Sequence, residues 1–135
     1  MTLTDDKIKE IAELLECGMV CYIHKHTLNI EYYPDYNELY MDPEEWEDTI
    51  KKVQSHLDEY ICIKKMDAKH AFQVMEAFTR TLTDLEFKQE LEHCLSTKKP
   101  FQNFRFLMVN SKYKSMWLEH KKQAIINWVR HQLDF

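Results

Sequence analysis

The chain has 135 residues, of which 44% are hydrophobic and 30% are charged, and its formal net charge at pH 7 is −5. This length fits one domain, residues 1–135, and the content of apolar and aromatic residues is too high for intrinsic disorder. The single glycine excludes sites that need several glycines in one loop, namely a P-loop, a dinucleotide-binding turn, a kinase glycine loop and a nucleophile elbow.

The first elements along the chain are a helix and a hairpin. Thr4 can cap a helix over about residues 5–17, and Gly18 supplies a left-handed stop after it. Two runs rich in β-branched and aromatic residues then predict antiparallel strands joined by a short loop, and Pro34 ends the second strand. These runs are MVCYIH and LNIEYY.

A second helix and a third strand follow. Asp42 can cap this helix, Pro43 suits its first position, and Glu45 stands where a capping box places a glutamate. The run YICIK, residues 60–64, predicts the strand. The buried stripe of the helix is expected to contain Trp46, Ile50, Val53 and Leu57.

Four helices are predicted for the second half of the chain. Asp67 and Thr83 are the expected caps of the first two, and the fourth is long, covering about residues 111–133. The whole order predicts an α+β fold, with a small antiparallel sheet of about three strands packed by helices and a mostly helical C-terminal half. The third helix is expected to bury Phe101, Phe104, Leu107 and Met108 on one face.

The runs KPFQNFRFLM, MWLEH and INWV, together with the earlier VMEAFTRTLTD, resemble a bacterial family of unknown function, Uncharacterised Protein Family 0158. Its members show a Phe-x-x-Phe box and then a helix with two tryptophans. This chain differs in having Gln102 and Asn103 inside the box, where basic residues are expected, and in lacking a hairpin glycine. The resemblance implies no activity, because the family has none assigned. The matching positions are Phe101, Phe104, Trp117 and Trp128.

Charge is unevenly distributed along the chain. Residues 1–97 hold 10 Lys and Arg against 21 Asp and Glu, whereas residues 98–135 hold 8 against 2. The two parts can attract one another within one fold, or the basic part can bind single-stranded nucleic acid, although its cations are dispersed around the predicted helices. The residues proposed for that alternative are Lys98, Lys99, Arg105 and Lys112.

A stretch rich in tyrosine and acidic residues, EYYPDYNELYMD, lies at the end of the second strand and in the loop after it. Tyrosine offers a large contact area at low cost in side-chain entropy, and loops often carry binding residues. This stretch predicts a surface for a basic or mixed protein partner, unless its tyrosines cover the sheet. The predicted contact residues are Tyr33, Asp35, Tyr36, Glu38 and Tyr40.

Metal and catalytic sites have weak support. Glu90 and His93 have the Glu-x-x-His spacing of carboxylate-bridged di-iron bundles, but no second copy lies on a matching helix. His24, His26 and Cys62 could approach one another in the sheet, without the paired spacing that zinc sites usually show. We predict neither a metal nor a cofactor, and no catalytic residues are assigned.

The last predicted helix carries Trp-x-x-His twice, as Trp117 with His120 and Trp128 with His131. Eleven residues are nearly three helical turns, so all four side chains share one face, while the two histidines stand about 16 Å apart along the axis. They cannot share a metal ion or a proton. This pattern is interpreted as a packing face.

The sequence therefore favours a small cytoplasmic interaction or adaptor module without catalytic activity, most simply one that binds a protein. No run reaches the length of a membrane helix, and the four scattered cysteines are expected to be reduced. Single-stranded nucleic-acid binding is one alternative. An enzyme whose site is assembled from distant residues is another, and the oligomeric state is left open.

Overall fold

The computed structural model describes residues 3–35 and 42–133. Its contacts divide the chain into two compact units: unit 1 consists of Met1–Lys65 and Ile126–Phe135, and unit 2 of Met66–Ile125. The one-domain prediction for residues 1–135 stays a prediction. The elements are α1 (Asp5–Glu16), β1 (Met19–His24), β2 (Ile30–Pro34), α2 (Pro43–Gln54), a 3₁₀ turn (Leu57–Glu59), β3 (Tyr60–Ile63), α3 (Ala68–Thr81), α4 (Leu85–Leu95), α5 (Pro100–Val109) and α6 (Lys114–Leu133).

Unit 1 is built on a three-stranded antiparallel sheet. Its strands lie in the order β2, β1, β3, so β1 is hydrogen-bonded to both neighbours. In this register Cys21 is paired with Tyr32 on one side and with Ile63 on the other. The most buried side chains of the sheet are Cys21 and Ile23 on β1 and Ile63 on β3, all 0% exposed.

Helix α1 begins and ends as predicted. The hydroxyl of Thr4 accepts a hydrogen bond from the backbone N–H of Lys7 at 3.2 Å, which satisfies a donor that has no partner within the helix. Gly18 has φ 85°, a left-handed conformation that costs glycine no clash with a Cβ. The chain therefore turns directly from α1 into β1, and the two elements pack together.

The turn between β1 and β2 is longer than the predicted three-residue loop and spans residues 25–29. A side chain holds it in place: Nδ1 of His24 accepts hydrogen bonds from the backbone N–H groups of His26 and Thr27, each at 3.1 Å. Leu28 adopts φ 61°, a conformation that hairpin turns usually reserve for glycine or asparagine. The imidazole of His24 thus supports a turn that lacks a glycine.

Helix α2 is capped by Asp42, whose carboxylate accepts a hydrogen bond from the backbone N–H of Glu44 at 3.0 Å. Of the predicted stripe, Val53 is fully buried. Leu57 is 48% exposed, so its assignment to that stripe is wrong. The reason is that α2 ends at Gln54, and helical periodicity no longer sets the direction of a side chain three residues later.

Tyr33 belongs to the interior of unit 1 and is only 4% exposed. Its hydroxyl donates to the hydroxyl of Tyr22 at 3.1 Å and accepts from Nε2 of Gln54 at 3.0 Å, while the two tyrosine rings stack. A buried phenol needs such partners, because an unpaired buried hydroxyl is costly. The other buried side chains of this unit are Ile8, Ile11, Ala12, Leu15, Cys21, Ile23, Val53, Tyr60, Ile63, Ile126 and Val129.

Unit 2 is helical throughout its regular elements. Asp67 caps α3 as predicted, accepting from the backbone N–H of His70 at 2.8 Å. The cap of α4 is Asp84, which accepts from Phe87 N–H at 3.2 Å, and the prediction of Thr83 was wrong by one residue. The core consists of Met75, Phe78, Leu82, Leu91, Phe104 and Met108.

The described residues confirm the α+β class, with an antiparallel sheet of three strands and four helices after β3. Among their helices none combines the length and the apolar character needed to cross a membrane.

Candidate functional site

Helix α5 has one buried face and one face that exposes apolar side chains. Phe104 and Met108 are both 1% exposed. Phe101, at the margin of the buried face, is 43% exposed, and Phe106 and Val109, farther round the helix, are 72% and 48% exposed. These three, with the exposed side chains of Gln102 and Arg105, form what we call the α5 outer face, which consists of Phe101, Gln102, Arg105, Phe106 and Val109.

The outward position of Phe101 contradicts the prediction that it shares the buried face. Its ring meets that of Phe72 edge to face, with centroids 6.4 Å apart, so it lies at the margin of the core and not inside it. Residues at i and i+3 differ by about 60° around a helix, which is enough to put Phe104 inside and Phe101 at the edge.

Cations lie beside the α5 outer face in the turn that precedes α5. Lys98 and Lys99 are exposed there, and the turn is held by Nδ2 of Asn103, which donates to the hydroxyl of Thr97 at 2.9 Å. The sulfur of Cys94 lies 3.7 Å from the carbonyl oxygen of Asn103. The segment that carries the two lysines is therefore tied to α5.

Two further predicted nucleic-acid contacts are also exposed. Arg105 is part of the α5 outer face, whereas Lys112 follows α5, with Nζ 5.4 Å from the centroid of the Tyr113 ring. A cation over a tyrosine ring is stabilised by the ring quadrupole. Lys112 is thereby directed toward its neighbouring tyrosine. Lys98 and Lys99 are exposed directly before α5, and Arg105 is exposed on it.

Only part of the predicted tyrosine-rich surface lies within the described residues. Tyr36, Glu38 and Tyr40 lie outside them. Tyr33 is buried and serves the core of unit 1, and Asp35 is half-buried, with its backbone N–H donating to the carbonyl of Gly18 at 3.0 Å. The partner surface that stays a prediction therefore consists of Asp35, Tyr36, Glu38 and Tyr40.

The packing interpretation of the repeated Trp-x-x-His pattern is confirmed for the first copy, whereas in the second copy Trp128 is half-buried and His131 is exposed. Trp117 meets Phe78 and Phe104 edge to face in the core of unit 2, with centroids 5.4 Å and 4.9 Å away. In unit 1, Nε1 of Trp128 donates to the carbonyl of Lys64 at 2.8 Å. Both indoles are used by the fold, as amphipathic aromatic side chains usually are.

The residues suggested for metal binding do not converge. Within residues 3–35 and 42–133, no three His, Cys, Asp or Glu side chains are arranged to hold a metal ion. Glu90 and His93 are exposed on α4. Cys62 is exposed on β3 and is paired across the sheet with Tyr22, whereas His24 is paired with Tyr60.

A cavity of about 290 Å³ lies in unit 1, where the β1–β2 turn faces the end of α2 and the start of β3. Its lining residues are His24, Thr27, Asn29, Glu31, Lys52, His56, Glu59 and Tyr60. The sequence analysis did not single out His56, because no local pattern links it to His24. Only the folded chain brings the two imidazoles to one cavity.

An ion pair forms part of the cavity wall. Nζ of Lys52 donates to Oε1 of Glu31 at 2.7 Å, joining α2 to β2. The hydrogen bond to Glu31 raises the pKa of Lys52, so the ammonium stays charged at neutral pH. The side chain of Glu31 is 21% exposed and that of Lys52 58%, so the pair is open to water on the lysine side.

Comparison with known proteins gives one match and two negative results. The model of a family described as "Uncharacterised protein family (UPF0158)" matches residues 19–135. Neither a curated protein nor a solved structure matches significantly. The match covers most of the chain, including the cavity and the α5 outer face.

Proposed function

Because the chain belongs to the Uncharacterised protein family (UPF0158), for which no activity is described, we propose its function from its surface: a small protein-interaction module that binds its partner through the α5 outer face. One observation carries this proposal. Phe106 is 72% exposed on a helix whose opposite face is buried, and Phe101 and Val109 stand exposed around Arg105.

The composition of the α5 outer face suits a protein interface. Aromatic residues and arginine are enriched at interfaces, where they supply contact area and directional hydrogen bonds. Single exposed apolar side chains are common on any surface, but several on one helical face next to an arginine are less so. Burying a phenylalanine side chain contributes about 2 kcal/mol, so a partner that covers this face would gain stability from Phe106.

The charges around α5 indicate the chemistry of the partner. Lys98 and Lys99 stand in the turn before the helix and Arg105 within it. A partner segment that places carboxylates near these cations and an apolar side chain on Phe106 would be complementary to the surface in both respects. We therefore propose a partner protein with an acidic and apolar contact segment. The predicted surface at Asp35, Tyr36, Glu38 and Tyr40, which suits a basic or mixed partner, stays a separate prediction.

Single-stranded nucleic acid is the second candidate, and a specific observation favours it. Phe101 and Phe106 are exposed on the same helix as Arg105. Proteins that bind single strands use exposed aromatic side chains of this kind, on which the bases stack. Phosphate contacts would then come from Lys98 and Lys99. The two candidates use the same helix, so the experiment has to separate them.

The test is site-specific crosslinking in cells that express the full chain. A photoreactive phenylalanine analogue replaces Phe106, and in a matched control the same analogue replaces Glu13, an exposed residue of α1. The proposal predicts a protein adduct from position 106 and not from position 13, and a crosslinked peptide that contains Asp or Glu beside apolar residues. An adduct that nuclease removes would replace the proposal with the nucleic-acid alternative.

Affinity measurements with the crosslinked partner complete the test. The F106S variant is expected to bind on the order of tenfold more weakly or worse, because an aromatic anchor at the centre of an interface carries a large share of the binding energy. The matched control is Q102S, on the same face. A fall of affinity with salt as steep as several phosphate contacts produce would instead favour the nucleic-acid alternative, in which F106S also weakens binding because bases stack on Phe106.

We also propose that the protein is located in the reducing cytoplasm of a bacterium. The cysteines of the described residues support it, because Cys17, Cys21, Cys62 and Cys94 are all free thiols. Labelling of intact cells with a thiol reagent that does not cross membranes should leave Cys17, which is exposed, unmodified.

A further inference from the structure

The cavity of unit 1 has polar or amphipathic side chains on every wall. Its eight lining residues include two histidines, two glutamates, a lysine, an asparagine, a threonine and a tyrosine. Five of these residues, Thr27, Asn29, Lys52, His56 and Glu59, are exposed, so the cavity is open to water. Ligands of drug size usually occupy cavities of about 300–1,000 Å³, so the observed 290 Å³ suits a smaller molecule.

The local backbone determines which nitrogen of His24 carries its proton. Nδ1 lies 3.1 Å from the backbone nitrogens of both His26 and Thr27, and a backbone N–H can only donate. Nδ1 must therefore accept, and the neutral ring holds its proton on Nε2. His24 is fixed in place by these two bonds and by Tyr60, whose ring meets the imidazole edge to face at 5.2 Å. His24 lines the cavity, and its Nε2–H remains as a donor.

His56 is held in the opposite tautomer. Its Nδ1 lies 3.2 Å from the carbonyl oxygen of Lys52, and a carbonyl can only accept. Nδ1 must therefore carry a proton, and in the neutral ring Nε2 keeps a lone pair. His56 offers the cavity an acceptor. One cavity thus contains an imidazole donor and an imidazole acceptor, each set by a bond to the main chain.

The charges of the cavity exclude small anions as preferred ligands. Glu31 and Glu59 supply two carboxylates against the single ammonium of Lys52, which is already paired with Glu31. Hydroxyl groups suit such walls, because each can donate to a carboxylate or to Nε2 of His56 and accept from Nε2 of His24. Thr27 and Asn29 add further polar groups on the turn side.

We propose that this cavity is a binding site for a small uncharged polyhydroxylated molecule, of the chemical class of a monosaccharide, held between the donor of His24 and the acceptor of His56. The site is separate from the α5 outer face, and the proposal does not depend on the proposed function. The ion pair between Glu31 and Lys52 and the ring of Tyr60 complete its walls.

The experiment is an NMR titration of the full chain with ¹⁵N-labelled histidine. The spectrum of the free protein should show the proton of His24 on Nε2 and that of His56 on Nδ1. D-glucose, D-galactose and D-mannose are then added separately at millimolar concentration. Saturable shifts of the His24 and His56 signals with at least one sugar are expected, whereas those of the exposed His93 and His131 should stay in place.

A ligand control and two variants sharpen the test. Tetrahydropyran has the six-membered ring without hydroxyl groups and should produce no saturable shift. In H24N and H56N the asparagine side chain reproduces the Nδ1 position, so the bonds to the main chain can form while Nε2 is lost. Each variant should bind the responding sugar at least about tenfold more weakly, the loss expected for one hydrogen bond of roughly 1.4 kcal/mol.

Three outcomes would overturn the proposal. The first is the absence of a saturable shift with all three sugars, and the second is an equal response to tetrahydropyran. The third is a preference for inorganic phosphate over the sugars, which would assign the cavity to anions. The titrations of the unmodified protein decide among these even if H24N or H56N fails to fold.

Discussion

The phenolic hydroxyl of Tyr113 donates a 2.7 Å hydrogen bond to Oδ2 of Asp84, so that the residue before α6 holds the residue that caps α4. The other carboxylate oxygen, Oδ1, accepts the capping bond from Phe87 N–H. The bond from Tyr113, and after it the capping bond, lowers the pKa of Asp84 below its usual value of about 3.9.

The sign of the resulting pH dependence follows from this lowered pKa. Ionised Asp84 stabilises the fold above the unfolded pKa of about 3.9, and this contribution is lost as the pH falls through the lower pKa of the folded state. We expect Y113F to be less stable than the unmodified chain at neutral pH, with a gap in the free energy of unfolding that narrows as the pH falls from about 3.9 through the lower pKa of folded Asp84. Urea unfolding over that pH range measures the gap, and a constant gap would contradict the assigned cause.

Substitution of phenylalanine by alanine should destabilise the protein strongly on the buried face of α5 and hardly at all on its outer face. F104A removes a side chain that is 1% exposed and should lower the free energy of unfolding by about 3–5 kcal/mol, through lost burial and the cavity left behind. F106A changes a side chain that is 72% exposed and should lie within about 0.5 kcal/mol of the unmodified chain. Urea titrations of the pair provide the measurement. A large loss in F106A would mean that Phe106 serves folding and not binding.

Substitution of Tyr33 should affect stability. Y33F removes a buried hydroxyl that bonds both Tyr22 and Gln54, and should cost about 1–2 kcal/mol. Y33S also leaves a cavity and should cost more. Burial of the Tyr22 phenol, and next its bond with Tyr33, raises the pKa of Tyr22, so Y33F should shift the ultraviolet titration of Tyr22 toward lower pH. A Y33F variant with unchanged stability would argue that the hydroxyl bonds are unimportant.

The cysteines should differ in their reaction with iodoacetamide, because the thiolate is the reacting species. Burial raises the pKa of the Cys21 thiol to about 12, and Cys21 is also inaccessible to the reagent. Cys17 and Cys62 are both exposed, but partial burial of the sulfur raises the pKa of Cys62. The expected order is Cys17, then Cys62, with Cys21 modified only after unfolding.

Peptide mass spectrometry over a time course in native buffer follows this order directly. Urea at a concentration that unfolds the chain is the control, since Cys17, Cys21 and Cys62 should then react at similar rates. Modification of Cys21 in native buffer at the rate of Cys17 would show that unit 1 opens readily at β1.

The sequence predicted those features whose causes lie within a few residues of one another. Thr4 caps α1 because its hydroxyl reaches Lys7 N–H, and Gly18 ends the helix because it lacks a Cβ. The one mistake in capping was of the same local kind and was small. Thr83 and Asp84 are adjacent residues with capping side chains, and propensity alone does not decide which of two neighbours faces the first free N–H groups of α4.

Periodicity also has a limited angular resolution. The pattern of α5 indicates which side is apolar, but an apolar arc that extends past the neighbouring helices leaves its edge exposed, as Phe101 shows. The same limit applies to Leu57, which continues the spacing of α2 after the helix itself has ended. Nothing in one sequence marks where the covering elements stop.

The sequence by itself thus determined the class of the fold, the order of its elements and most helix starts, because these depend on local sterics, capping and hydrophobic period. Only the tertiary structure decided that Tyr33 is a core residue, that Phe106 is left exposed and that His24 and His56 share a cavity. The physical reason is that burial and side-chain partners depend on contacts between segments far apart in the chain. A local sequence pattern contains no information about those contacts.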